Sequence, residues 1–168
     1  MRHGESVTRP WILLLSLAAC SRDALPTQPS AAVARVVSLE AEAGSGDGRL
    51  VQRSRASGGQ TIHLAPGERR VWDVAVNPAV EYALSVTYSN GKEGENEVIH
   101  VSVDGAPVIS FQDRDSGDST EGWNIFVTDP AGTSALRPGI HTLVLESSGG
   151  DGCVEIDVVT LNPAGAGV

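Results

Sequence analysis

The sequence predicts an all-β domain built as a two-sheet antiparallel sandwich. Nineteen Gly and nine Pro in 168 residues cut the chain into runs too short for helices. Those runs are rich in Val and Thr and are bounded by turn clusters. Where a run is long enough to show a period, the period is two rather than 3.6. Short strands at this spacing pair as hairpins and close over one another as two sheets.

The first run, "VVSLEAE" (36–42), reads as a strand whose alternation places Glu40 and Glu42 on the same face. "QTIHLA" and "RVWDVAV" follow, and in the second Trp72 alternates with Val74 and Val76 as core. In "EYALSVTYS", Tyr82, Leu84, Val86 and Tyr88 face one way, and Ala83, Ser85, Thr87 and Ser89 the other. "EVIHVSV" sets Ile99, Val101 and Val103 opposite His100 and Ser102, and "DGAP" turns it into "VISFQ" as a hairpin. "WNIFVTD", "IHTLVLES" and "CVEIDVVTL" complete nine strands. No internal repeat and no heptad pattern is present.

Ahead of the strands, Arg2 and Arg9 precede the apolar run "WILLLSLAA", too short to cross a bilayer as a mature helix. It ends in Leu17, Ala18, Ala19 and Cys20, which resembles the lipobox of bacterial lipoproteins. That resemblance implies cleavage before Cys20 and lipid on its thiol; the other reading is an ordinary secretory signal with a stray cysteine. Residues 1–19 are then a signal peptide, and 20–35, with Pro, Ser, Ala and Thr but no apolar period, a lipid anchor and flexible tether. The folded domain covers 36–163, and 164–168 is a flexible tail of small residues. The expected location is the bacterial cell envelope, at the outer membrane or cell surface, with the N-terminal lipid as the sole membrane contact.

With Cys20 given to lipid, Cys153 has no partner, so the core must hold without a disulfide and Cys153 reads as a small buried hydrophobe. The net charge of −9 argues against nucleic acid and anionic lipid surfaces as partners, and is compatible with bound cations.

The order of motifs "LEAEAGSGDG", "ASGGQTI", "VWDVAVNPAVEYALSVTYSNG", "VSVDGAPV", "GWNIF", "LRPGIHTLVLES" and "VEIDVVTL" resembles the family 6 and family 35 carbohydrate-binding modules. These are galactose-binding-like β-jelly rolls, usually attached to glycoside hydrolases, and the likeness runs from about Val36 to Leu161. It implies a structural calcium ion at one edge of the sandwich, held by Glu40, Glu42 and Asp157 with help from carbonyls near the Gly-Gly motif. Calcium takes six to eight hard oxygen ligands, and neighbouring carboxylates without a cation would repel. The other reading of the acids is a charged strand edge that discourages aggregation.

The same resemblance implies a sugar cleft among the loops at one end, with Trp123 as a stacking aromatic, Asn124 beside it and Glu155 at the polar position of the final strand. An indole offers a flat apolar face and one N–H donor, which suits a sugar's C–H face and hydroxyl rim; Trp123 as a plug for the sandwich end is the competing reading. Two departures from the family pattern stand out. Glu155 occupies a position often taken by Asn, and no aromatic follows the Gly-Gly motif in "TIHLAPGERR". Glu155 in a cleft favours a cation or a neutral sugar over a uronic acid. The loop "DRDSGDSTEG", with Asp113, Asp115, Asp118 and Glu121, departs from the EF-hand pattern and reads either as a second metal site or as a solvated acidic hairpin.

Catalysis is not expected. Glu40, Glu42, Glu155 and Asp157 offer carboxylates, but a glycosidase pair must flank a deep cleft, which short loops do not build. His63, His100 and His141 lie on separate strands without metal-ligand spacing or a nucleophile motif, and there is no phosphate loop. The expected function is a non-catalytic module binding poly- or oligosaccharide; the alternative is an envelope lipoprotein whose sandwich makes protein contacts.

Overall fold

Eleven strands are found among the described residues, all paired antiparallel: β1 (Val37–Glu40), β2 (Ser45–Gly46), β3 (Arg49–Gln52), β4 (Gln60–Leu64), β5 (Arg69–Val76), β6 (Val80–Ser89), β7 (Glu97–Val103), β8 (Ala106–Gln112), β9 (Val127–Leu136), β10 (Gly139–Gly149) and β11 (Val154–Pro163). The structure, a computed structural model, describes residues 33–91, 94–117 and 119–164. The signal peptide, Trp11, Cys20, nearly all of the tether, Asp118 and the tail beyond Ala164 lie outside the described residues.

One sheet runs β3-β4-β11-β6-β9 and the other β2-β5-β10-β7-β8, which is the predicted all-β sandwich. β11 is the hub of the first. Its residues 154–156 pair with β4 and residues 158–161 with β1 along one edge, while β6 lies along the other.

The inward faces follow the alternation in the sequence. Trp72, Val74 and Val76 of β5, Ile99, Val101 and Val103 of β7, and Leu143 and Leu145 of β10 meet Tyr82, Leu84, Val86 and Tyr88 of β6 and Val154, Ile156, Val159 and Leu161 of β11, all buried. The buried positions on β11 switch parity between Ile156 and Val159, and the register against β6 shifts between Ile156 and Val158. Asp157 sits at that bulge, whose extra residue re-aims its side chain. The "DG" turn joining β7 to β8 has φ of 52° at Asp104 and 77° at Gly105, the double positive φ of a type I′ hairpin.

Four elements differ from the sequence expectation, the first being the unpredicted two-residue strand β2. The first strand stops at Glu40, and Ala41–Ala43 form a 3-10 turn closed by the Gly44 amide on the Ala41 carbonyl at 3.2 Å. Ala41 is fully buried, so Glu40 caps the turn and Glu42 lies within it, rather than the two alternating along a strand. β3 is an added edge strand, hidden in the sequence by the Gly and charged residues around it. Trp123 and Asn124 close the 3-10 turn Ser119–Asn124, and β9 starts only at Val127 but continues through Pro130 to Leu136. β9 is an edge strand, where a missing N–H costs no ladder bond.

Candidate functional site

Two groups of side chains follow from this topology. The first lies where β1 runs out beside the bulge of β11. Glu40 pairs in register with Val158, next to Asp157. The loop between β3 and β4 crosses over them through a second 3-10 turn, Ser57–Gly59. Ser57 Oγ donates to Glu40 Oε1 at 2.8 Å. Gly58, with φ of 67°, lies so close to Glu42 that a Cβ there would stand 2.7 Å from Glu42 Oε1 and 4.0 Å from Glu40 Oε2. The positive φ favours glycine at this position, and any larger residue would push the Glu42 carboxylate tip aside.

Glu40 Oε2, Glu42 Oε2 and Asp157 Oδ1 are each buried without a hydrogen-bond partner. Burial pushes the Asp157 carboxyl up to about 6; the Ser57 amide opposes that shift, and the Glu40 and Glu42 charges add to it. The resemblance therefore brings together three acids that are neighbours in space. They do not form a closed cage: among the described residues no three His, Cys, Asp or Glu side chains meet as a ready metal-ligand cluster. The orphaned oxygens are the more telling observation, because an unpaired buried polar group costs about 1–3 kcal/mol and a charged one more. An all-oxygen donor set of this kind fits a hard divalent cation, which needs further oxygens from backbone or water to complete its shell.

The second group lies on the other side of the same β3–β4 loop. Glu155, on the face of β11 away from the core, is nonetheless only 1% exposed. Arg53 covers it with a two-pronged contact, Nε to Oε2 at 2.6 Å and Nη2 to Oε1 at 2.5 Å. Thr61 Oγ1 donates to Oε2 at 3.0 Å, and His63 Nδ1 stands 3.7 Å from Oε1, too far for a hydrogen bond. Burial alone would raise the Glu155 carboxyl; Arg53, helped by His63 and Thr61, outweighs it and holds the group below the usual carboxylate range. The Glu155 carboxylate is therefore paired with Arg53 rather than standing alone on this surface.

Asn124 joins this loop to the turn carrying Trp123. Its Nδ2 donates to Ser54 Oγ at 3.0 Å, and its Oδ1 accepts from the Arg55 amide at 3.1 Å. Gln52, Arg53, Ser54, Gly59 and Asn124 line a cavity of about 430 Å³. Trp123 is half-buried, its ring 6.1 Å from that of His63 and tilted by 38°. Its indole lies over Gly91, where a Cβ would come within 3.1 Å of Cζ2 and Nε1. Trp123 is thus packed along one edge and only partly exposed, between the two sequence readings. A larger groove of about 660 Å³, lined by residues of the 33–38 segment, Ala75–Asn77 and Tyr82, holds no comparable polar cluster.

Sequence reasoning missed Arg53, whose partner is more than a hundred residues away, and it misplaced Asp113. The latter is 3% exposed rather than solvated. Asn90 Nδ2 donates to both its oxygens, at 3.2 and 3.1 Å, and to Glu97 Oε2 at 3.0 Å. Asp115 is exposed, and the Glu121 side chain lies outside the described residues. Cys153 is free and half-buried rather than a fully buried hydrophobe; burial, then the charges of Glu97 and Glu155, push its thiol up to about 11, which disfavours the thiolate at neutral pH.

No family model matches the sequence. Among solved structures, a family 35 carbohydrate-binding module from Clostridium thermocellum superposes with a TM-score of 0.66 at 21% identity, covering 77% of this chain and 99% of that one. The C-terminal family 6 module of the laminarinase LamC from Zobellia galactanivorans gives 0.62 at 12% identity, covering 76% and 99%. The fold is that of the carbohydrate-binding modules of families 35 and 6. The same module fold matches part of the exo-β-1,3-galactanase of Phanerochaete chrysosporium, with a TM-score of 0.62 at 22% identity over 77% of this chain and 30% of that enzyme. Among curated proteins, the spectinabilin polyketide synthase system protein NorB of Streptomyces orinoci is 31% identical over 112 residues, 67% of this chain. The chain spans only 5% of that protein's length.

Proposed function

We propose that this protein is a non-catalytic carbohydrate-binding module. It takes a poly- or oligosaccharide on the loop-end surface of Trp123, Asn124 and the Arg53–Glu155 pair, carries a structural calcium ion at Glu40, Glu42 and Asp157, and is displayed on the cell envelope through lipid on Cys20. The observation that carries the sugar reading is a half-buried indole on the turn next to a cavity lined by guanidinium, hydroxyl and amide groups, on the fold of a family 35 carbohydrate-binding module. A ring face with a few fixed polar groups is the chemistry a pyranose requires. Asn124 acts first as a clasp, since both ends of its amide hold the β3–β4 loop.

What a bound calcium ion supplies is charge compensation and a shared ligand between β1 and β11. The residues themselves supply the oxygens, and Gly58 keeps the space above them open.

An array of plant, fungal and bacterial glycans tests the sugar reading. The expected result is saturable binding that Trp123→Ala weakens at least about tenfold, in line with the loss of a stacking platform. Binding unchanged in the variant, or no binding by the parent protein to any glycan, would refute it.

A further inference from the structure

We propose that Arg70 is a positioning residue for the acidic turn: from β5 in the opposite sheet, its buried guanidinium holds the backbone around Glu42 and so aims the Glu40 and Glu42 carboxylates toward Asp157. The inference rests on the calcium reading above and adds a residue that no motif in the chain pointed to.

Arg70 occupies the inward parity of β5, in line with Trp72, Val74 and Val76, and is 6% exposed. An arginine inside a sandwich is costly unless its donors are used. Here they go to backbone carbonyls of one short segment. Nε and Nη2 donate to Ala41 O at 3.2 and 3.0 Å, Nη2 also to Gly44 O, and Nη1 to Gly46 O and Asp47 O at 3.3 and 3.1 Å. Two residues along, Trp72 Nε1 donates to Glu40 O at 2.9 Å. Gly44 passes so close that a Cβ would stand 2.8 Å from the indole. Carbonyls on both sides of Glu42 are therefore strapped to β5 across the sandwich. A planar guanidinium can hold such a set and a lysine ammonium cannot, because its three donors radiate from one point. The segment has no other regular pairing beyond the two-residue β2, so the strap decides where its side chains point.

A competing effect has the opposite sign. Glu42 and Asp47 lie close enough for their charges to act on Arg70. A nearby cation repels a divalent ion, so the Arg70 charge by itself weakens metal binding. Two variants separate the effects. Arg70→Lys keeps the charge and loses the fork; Arg70→Met loses both.

The test is calorimetric calcium titration of the whole chain, with the thermal midpoint in chelator as a separate measure of folding. The strap predicts that Arg70→Lys and Arg70→Met both lose calcium affinity, by about ten- to a hundredfold as for other residues that orient metal ligands, while remaining folded in chelator. Wild-type affinity in Arg70→Lys, or tighter binding in Arg70→Met, overturns it, as does a fall in chelator midpoint with unchanged affinity. If neither variant folds, Trp72→Phe keeps a six-membered aromatic ring and removes the Nε1 bond to the Glu40 carbonyl. Weaker calcium binding then supports the strap and unchanged binding refutes it. A parent protein that binds no calcium removes the calcium reading and this inference with it, whereas a parent that binds alongside an unaffected Arg70→Lys removes this inference alone.

Discussion

Asp113 and Glu97 share one asparagine amide in a place where water does not reach. Burial, then the charge of Glu97, with a smaller contribution from Asp115, push the Asp113 carboxyl up to about 7; the Asn90 amide and the Glu97 backbone act against the shift. Because the folded state binds this proton more tightly than the unfolded chain, the group's stabilising contribution is complete below pH 4. It is lost as pH rises from there through 7. Urea unfolding at pH 5 and pH 8 should show a loss on the order of 2–4 kcal/mol that Asp113→Asn lacks; an equal loss in both proteins would count against the pair. This pair was not legible in the sequence, because Glu97 stands at a strand start and Asp113 in a loop of acids, where both look solvated. Glu40, Glu42 and Asp157 were legible as a group only through the family motif, since β1 stops at Glu40 and the alternation that put Glu40 and Glu42 on one face does not hold there. The space that Gly58 leaves beside them and the Arg70 contacts to the turn are both long-range features that no local pattern encodes.

Individual strands were read well wherever one face is buried, as in β6 and β7, because burial imposes a period of two. They were read poorly at the edges: β3 faces solvent on most of its length, and β9 tolerates Pro130 and Gly132 because only β6 pairs with it. The turns that join the strands carry their own chemistry. His141, at the start of β10, lies with Nδ1 2.7 Å from Asp104 Oδ2 in the β7–β8 turn and Nε2 2.7 Å from the Arg137 carbonyl. Both partners accept, so both ring nitrogens must donate, which requires the imidazolium. The Arg137 carbonyl, then Asp104, accordingly raise the His141 pKa. The clasp stabilises the fold fully below the ordinary histidine value near 6.5 and fades as pH climbs through the raised one. His141→Gln should therefore lower the thermal midpoint more at pH 5 than at pH 9; an equal drop at both would argue that the ring acts by packing alone.

Across the whole molecule, the proposed calcium ion joins the first described strand to the last, and its removal should be felt globally. Thermal unfolding with and without chelator should differ by about 5 °C, the shift expected when an ion binds only the native state, and coincident curves would argue against a bound ion. The sandwich class was legible because Gly, Pro and alternation run through the entire chain, whereas the sheet order was not, since β11 draws partners from residues 37–64 and 82–89 alike. That hub imposes a schedule. A ribosome makes β1, β4 and β6 well before the strand that must lie between them, so for most of translation half of the sandwich has no centre to assemble on. Distant pairings of this kind form late and slowly. The nascent polypeptide stays open, and therefore threadable, until residues 154–163 have emerged.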